Sequence, residues 1–100
     1  MNVQRVSLNS ANVRYDNANE ESRVYDIESN ANINGKTVSG FDGGVVMKDG
    51  VQMATFSKRG TNLNPNFHNL EATEMCEVLM AINDFIESVT ENVSTKTIEL

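Results

Sequence analysis

Tryptophan is absent from this 100-residue chain, and cysteine, histidine and proline occur once each. A lone cysteine, Cys76, excludes an intramolecular disulfide, so nothing requires an oxidising compartment. With His68 as the one histidine, and no acidic triplet at calcium-loop spacing, no ligand set for a metal exists, and no cofactor is expected. Met1-Asn2-Val3-Gln4-Arg5 holds no apolar signal core. The longest helical apolar run, Val78 to Ile82, is far shorter than the roughly 20 residues a membrane-spanning helix needs. The cytoplasm is therefore the expected location, with no membrane partner.

Catalytic constellations are equally thin. A thiol near a helix N-terminus can be activated, and Cys76 with His68 is the one conceivable dyad. Eight residues of spacing prove no contact, and a lone cysteine at the rim of an apolar stripe reads as a small hydrophobe. Gly40-Phe41-Asp42-Gly43-Gly44 is glycine-rich, but no helix follows to anchor a phosphate, so a strand bulge is the simpler role. Asn92-Val93-Ser94 matches a glycosylation sequon that has no secretory context. A non-enzymatic protein is expected.

What the chain does have is a division of charge. Seven of its eight basic residues lie in residues 1–60 with seven acidic ones, so that stretch is neutral. Residues 61–100 carry Lys96 alone against Glu71, Glu74, Glu77, Asp84, Glu87, Glu91 and Glu99, and so hold the whole net charge of −6. A pI near 4.6 opposes non-specific nucleic-acid binding by the whole molecule while leaving one face open to it.

Hydrophobic period changes at the same boundary. Asn34-Gly35 and Asp49-Gly50 are dipeptides that tolerate positive φ at both centres of a type I′ hairpin turn. Around them Tyr25, Ile27, Ala31 and Ile33 alternate with polar residues, predicting a three-strand meander over about residues 23–57. Val3, Val6, Leu8, Val13 and Tyr15 supply either one longer strand or a short hairpin. Residues 59–69, with the one proline and four asparagines, read as a surface connection anchored by Leu63 and Phe67. Ala72, Met75, Val78, Leu79, Ile82, Phe85, Ile86, Val89 and Val93 form a stripe about 140° wide at helical spacing, predicting a helix over about residues 70–92. Residues 93–100 are a frayed end or a short edge strand at Thr95, Thr97 and Ile98. The expected fold is a single α+β domain over residues 1–100: an antiparallel meander of three to five strands about residues 3–57, a loop to about residue 69, and one long C-terminal amphipathic helix on one sheet face.

Two-residue turns pair Ile33 with Lys36 and Lys48 with Val51, and opposed residues share a face. Tyr25, Ile27, Ala31, Ile33, Val38, Val46, Val51 and Met53 then face the helix. The other face collects Phe41, Val45, Met47, Ala54 and Phe56 with Lys58 at the edge, five apolar residues where a solvated face should be polar. A bulge at Gly40, Gly43 or Gly44, an N-terminal segment folded over them, or a real interaction surface would each account for it.

Three functions are compatible with these patterns. The first is a small, self-associating interaction module, a homodimer through the Phe41/Val45/Met47/Phe56/Lys58 face or through an exposed side of the helix. The second uses Lys48, Lys58 and Arg59 beside Phe41 and Phe56 as a stacking platform for single-stranded nucleic acid. In element order over about residues 3–92, the chain is similar to the PC4/Whirly type of single-strand binder, whose helices often pair two subunits. The third uses the helix's outer face, where Glu77, Asp84, Glu87 and Glu91 surround Met80. Such a face imitates a nucleic-acid backbone for a basic protein partner, as small phage-encoded inhibitors do.

Overall fold

The structure is a computed structural model that describes residues 1–9 and 12–95. Six strands follow one another across one antiparallel sheet in sequence order: β1 Gln4–Asn9, β2 Asn12–Asp16, β3 Asp26–Asn34, β4 Thr37–Lys48, β5 Val51–Arg59 and β6 Asn62–Phe67. One helix, α1 Ala72–Thr95, completes an α+β fold. The meander of β3, β4 and β5 stands where the two glycine turns place it. The N-terminal segment is a hairpin, β1 with β2.

Three strands beyond the central meander, β1, β2 and β6, come from the ends and make six where three to five were expected, and β6 corrects the sequence reading. Residues 62–67 are an edge strand where a loop was expected, pairing Asn62 with Arg59 and Phe67 with Ala54. Asn62, Asn64 and Asn66 are exposed while Leu63, Pro65 and Phe67 are half-buried, a period-two alternation. Proline is tolerated there because an edge strand has one side without a ladder. The tail is corrected in part as well: Ser94 and Thr95 are helical, and residues 96–100, with the edge-strand reading of Thr97 and Ile98, lie outside the described residues.

The turns differ in how closely they follow their dipeptides. Asp49 (φ 52°) and Gly50 (φ 80°) are both left-handed, and Lys48 pairs with Val51 as the type I′ reading requires. At the other turn only Gly35 has positive φ, and Asn34 pairs with Thr37, so Ile33 opposes Val38 and not Lys36.

Three bulges then decide which side chains reach the core. The register of β3 and β4 slips once between Gly40 and Val38, and again between Asp42 and Val45, where Gly43 takes φ 64°. The first slip turns Phe41 inward opposite Ala31; the second restores Val46 to the inner face opposite Ile27. A third slip, between Gln52 and Ala54 of β5, turns Ala54 and Phe56 inward. Ser29, the polar residue on the inner side of β3, is fully buried and donates its hydroxyl to the Asp42 carbonyl at the second bulge (3.2 Å). Gly44 is needed for packing: a β-carbon there would meet the Phe56 ring at 2.5 Å.

The inner face and α1 share one core. Val13, Tyr15, Ile27, Ala31, Val46 and Ala54 from the sheet, and Val78, Ile82, Phe85, Val89 and Val93 from the helix, are essentially inaccessible to solvent. Phe56 meets Phe85 edge to face, centroids 6.4 Å apart. Polar ties add direction. The Tyr15 hydroxyl donates to Asn92 Oδ1 (2.8 Å) while accepting from Arg5 Nε (2.7 Å), joining β1, β2 and the last turns of α1. The segment between β2 and β3 is closed by buried Asn17, whose amide donates to the Tyr25 carbonyl and accepts from the Ile27 N–H.

Candidate functional site

The apolar patch expected on the outer sheet face is not assembled. Phe41 and Phe56 are buried at 3% and 4% exposure, turned inward by the bulges. Of the bulge, overlay and surface explanations, it is the bulge that operates, although the slip that moves Phe56 centres on Met53 and not on a glycine. Val45 and Met47 stay on the outer face, half-buried, in a hollow of about 330 Å³ shared with Asp16, Arg23, Asp26 and Glu28. Arg23 bonds Asp26 (2.6 Å) and Arg14 bonds Glu28 (3.2 Å), so those two carboxylates are already neutralised. Lys58 is half-buried opposite Phe41 and Leu63.

The same burial removes the aromatic half of the stacking platform. Base stacking needs an open ring face, and Phe41 and Phe56 offer none. Lys48 is drawn elsewhere, its ammonium 3.5 Å from Glu74 and 5.7 Å from the centre of the Tyr25 ring.

The inward stripe of α1 is narrower at its start than its periodicity implies. Val78, Ile82, Phe85, Ile86, Val89 and Val93 are buried, whereas Met75 and Leu79 remain 36% and 39% exposed and Ala72 is exposed. Val51, expected inside, is also exposed. Val24, Val51, Met75, Leu79 and Met80 therefore account for most of the large exposed apolar side chains among the described residues. A polar junction lies at the helix start: the Tyr25 hydroxyl donates to Glu74 Oε2 (2.5 Å) and lies 3.4 Å from Glu77 Oε2, and the Lys48 ammonium is 3.5 Å from Glu74. Burial, then the Glu74 carboxylate, push the Tyr25 phenol well above its usual range. The Tyr25 hydrogen bond, aided by Lys48, holds Glu74 below the usual carboxylate range. The cluster ties the helix start to the residue before β3 and to the end of β4.

The acidic face is intact. Glu77, Asp84, Glu87 and Glu91 are exposed, and Met80 among them is exposed at 72%, the highest of any large apolar residue described. Glu77, Glu87 and Glu91 form no ion pair among the described residues; Asp84 lies 4.0 Å from the Met1 ammonium. Beside Met80 runs a groove of about 500 Å³ between α1 and the loop before β3, floored by Tyr25 and Ala81 and edged by Val24, Glu20 and Asp84. Glu20 accepts the Asn2 backbone N–H (2.7 Å) and the Ser22 hydroxyl, which hold its carboxyl below the usual range. Arg23, also on the rim, is spent on Asp26 and on the carbonyls of Ala18 and Glu20. The groove was not legible in the sequence, because it needs the loop and the helix to be neighbours.

Among the described residues no three His, Cys, Asp or Glu side chains gather as metal ligands, and no helix is long and apolar enough to cross a membrane. Cys76 is exposed, and the His68 ring sits 3.4 Å from the Gln52 amide. Compared with protein-family models, curated proteins and solved structures, the chain matches none of them.

Proposed function

We propose that this protein is a non-enzymatic interaction module that engages a basic protein partner through the acidic face of α1 and the adjoining groove. The observation that carries this is Met80. It is the most exposed large apolar side chain described, set among four exposed carboxylates and beside a groove with an apolar floor. Glu77, Glu87 and Glu91, in no ion pair among the described residues, steer a cationic surface and set its orientation, while Met80 and Val24 supply apolar area that binding would remove from water. A methionine suits the role because its flexible thioether adapts to an irregular partner.

The nucleic-acid reading has less support, since its stacking rings are buried and the helix face would repel phosphates. The test compares affinity capture by the wild type, by Met80→Lys, and by a variant with Glu77, Asp84, Glu87 and Glu91 changed to amides. The expected result is a basic partner held by the wild type, released by salt, and lost from both variants. A partner retained equally by the amide variant, or an oligonucleotide bound at low salt, would contradict the reading.

A further inference from the structure

The sheet is wider than its helix. Six strands at the usual spacing span roughly 24 Å, whereas one helix with its side chains covers about 10–12 Å. Contacts of α1 with the sheet fall chiefly on β3 and β4. On the β1 and β2 side the N-terminal residues and Asn92 close the gap, since Met1, Asn2 and Val3 line a hollow with Ser88 and Asn92, and Tyr15 bonds Asn92. On the β5 and β6 side the inner face is left with Met53, Leu63 and Phe67 only half-buried, and in the first turns of α1 Met75 and Leu79 are exposed.

We infer that a second copy of this chain covers this open strip, its helix lying beside the first to complete a two-helix layer over the sheet. The argument for a second copy is electrostatic as well as geometric. Two chains of net charge −6 repel on most approaches. The flank of α1 turned away from the β1 side presents at helical spacing the exposed Ala72, Met75, Cys76, Leu79, Asn83 and Thr90, none of them charged. On this flank two helices can meet side by side without opposing carboxylates. At its border lies Lys58, opposite Leu63 and in no ion pair among the described residues, and an anionic copy complements it. A twofold interface of this kind is isologous, so the same strip serves both copies. It leaves Met80 and the acidic groove on the outer side, and so does not depend on the proposed function.

Light scattering across a concentration series, roughly 1 to 200 µM to bracket ordinary dimer affinities, tests this on the full chain. The mass should rise to twice the 11.1 kDa of one chain. Leu79→Glu on α1 and Phe67→Glu on β6, where the opposed residue is Ala54, should each raise the dissociation constant by roughly 100-fold, because each buries an unpaired carboxylate in the interface of both copies. Met80→Glu, on the acidic face, should leave the mass unchanged. Circular dichroism of each variant confirms that the subunit is folded, and Leu79, already part-exposed, is the safer of the two positions. A monomer at the highest concentration, or a dimer that survives both Leu79→Glu and Phe67→Glu, would overturn the inference.

Discussion

The two flanks of α1 are built on opposite principles. Toward β1, β2 and the start of β3 the helix is fastened by polar groups with defined partners: Tyr25 to Glu74, Tyr15 to Asn92, and the Met1 ammonium within reach of Asp84. Toward β5 and β6 no comparable tie appears among the described residues, and Met75, Leu79, Leu63 and Phe67 are left part-exposed. Directional bonds register a helix on its own sheet, whereas unsatisfied apolar area is what an association surface needs. The contrast teaches that the molecule closes one side by itself and leaves the other open.

The largest expected effect is on the seam that both flanks share. Phe85→Ala removes a fully buried ring packed on Phe56 and should cost about 3–5 kcal/mol of stability by urea denaturation. A loss below about 1 kcal/mol would show that the helix is not seated as described.

The smaller effect isolates the fastened flank through pH. Glu74 is held below its ordinary carboxylate range, so its contribution is present above its unfolded value, near pH 4.5, and is lost as pH falls through the folded one. Tyr25 is raised, so its contribution is present below its unfolded value, near pH 10, and is lost as pH rises beyond it. Tyr25→Phe removes both ties. Its stability deficit relative to the wild type should be greatest between these limits and shrink on either side. A deficit independent of pH would mean that the hydroxyl does not engage Glu74.

Much of this was legible in the residues. Asp49-Gly50 determined its turn, and the spacing of Val78, Ile82, Phe85 and Val89 marked the helix and its buried side. Single-residue bulges were not, because one slip exchanges the faces of every residue beyond it. Gly43 carried a visible signal for its bulge, but Ser39 and Met53 did not, and those slips send Phe41 and Phe56 inward. The strand β6 did carry a signal, the alternation of Asn62, Asn64 and Asn66 with Leu63, Pro65 and Phe67, masked by the weight given to one proline. Of the candidate residues, Glu77, Met80, Asp84, Glu87 and Glu91 needed only helical periodicity to be placed on an exposed side of α1, and they are exposed. The groove beside it and the open strip depend on contacts between distant segments, which periodicity does not encode.

Amide chemical shifts followed on dilution test the contrast between the two flanks most directly. The account predicts that signals of Met53, Leu63, Phe67, Met75 and Leu79 move together between concentrated and dilute samples, while those of Val24, Met80 and Asp84 stay in place. Shifts confined to the Met80 side, or none at any concentration, would contradict it.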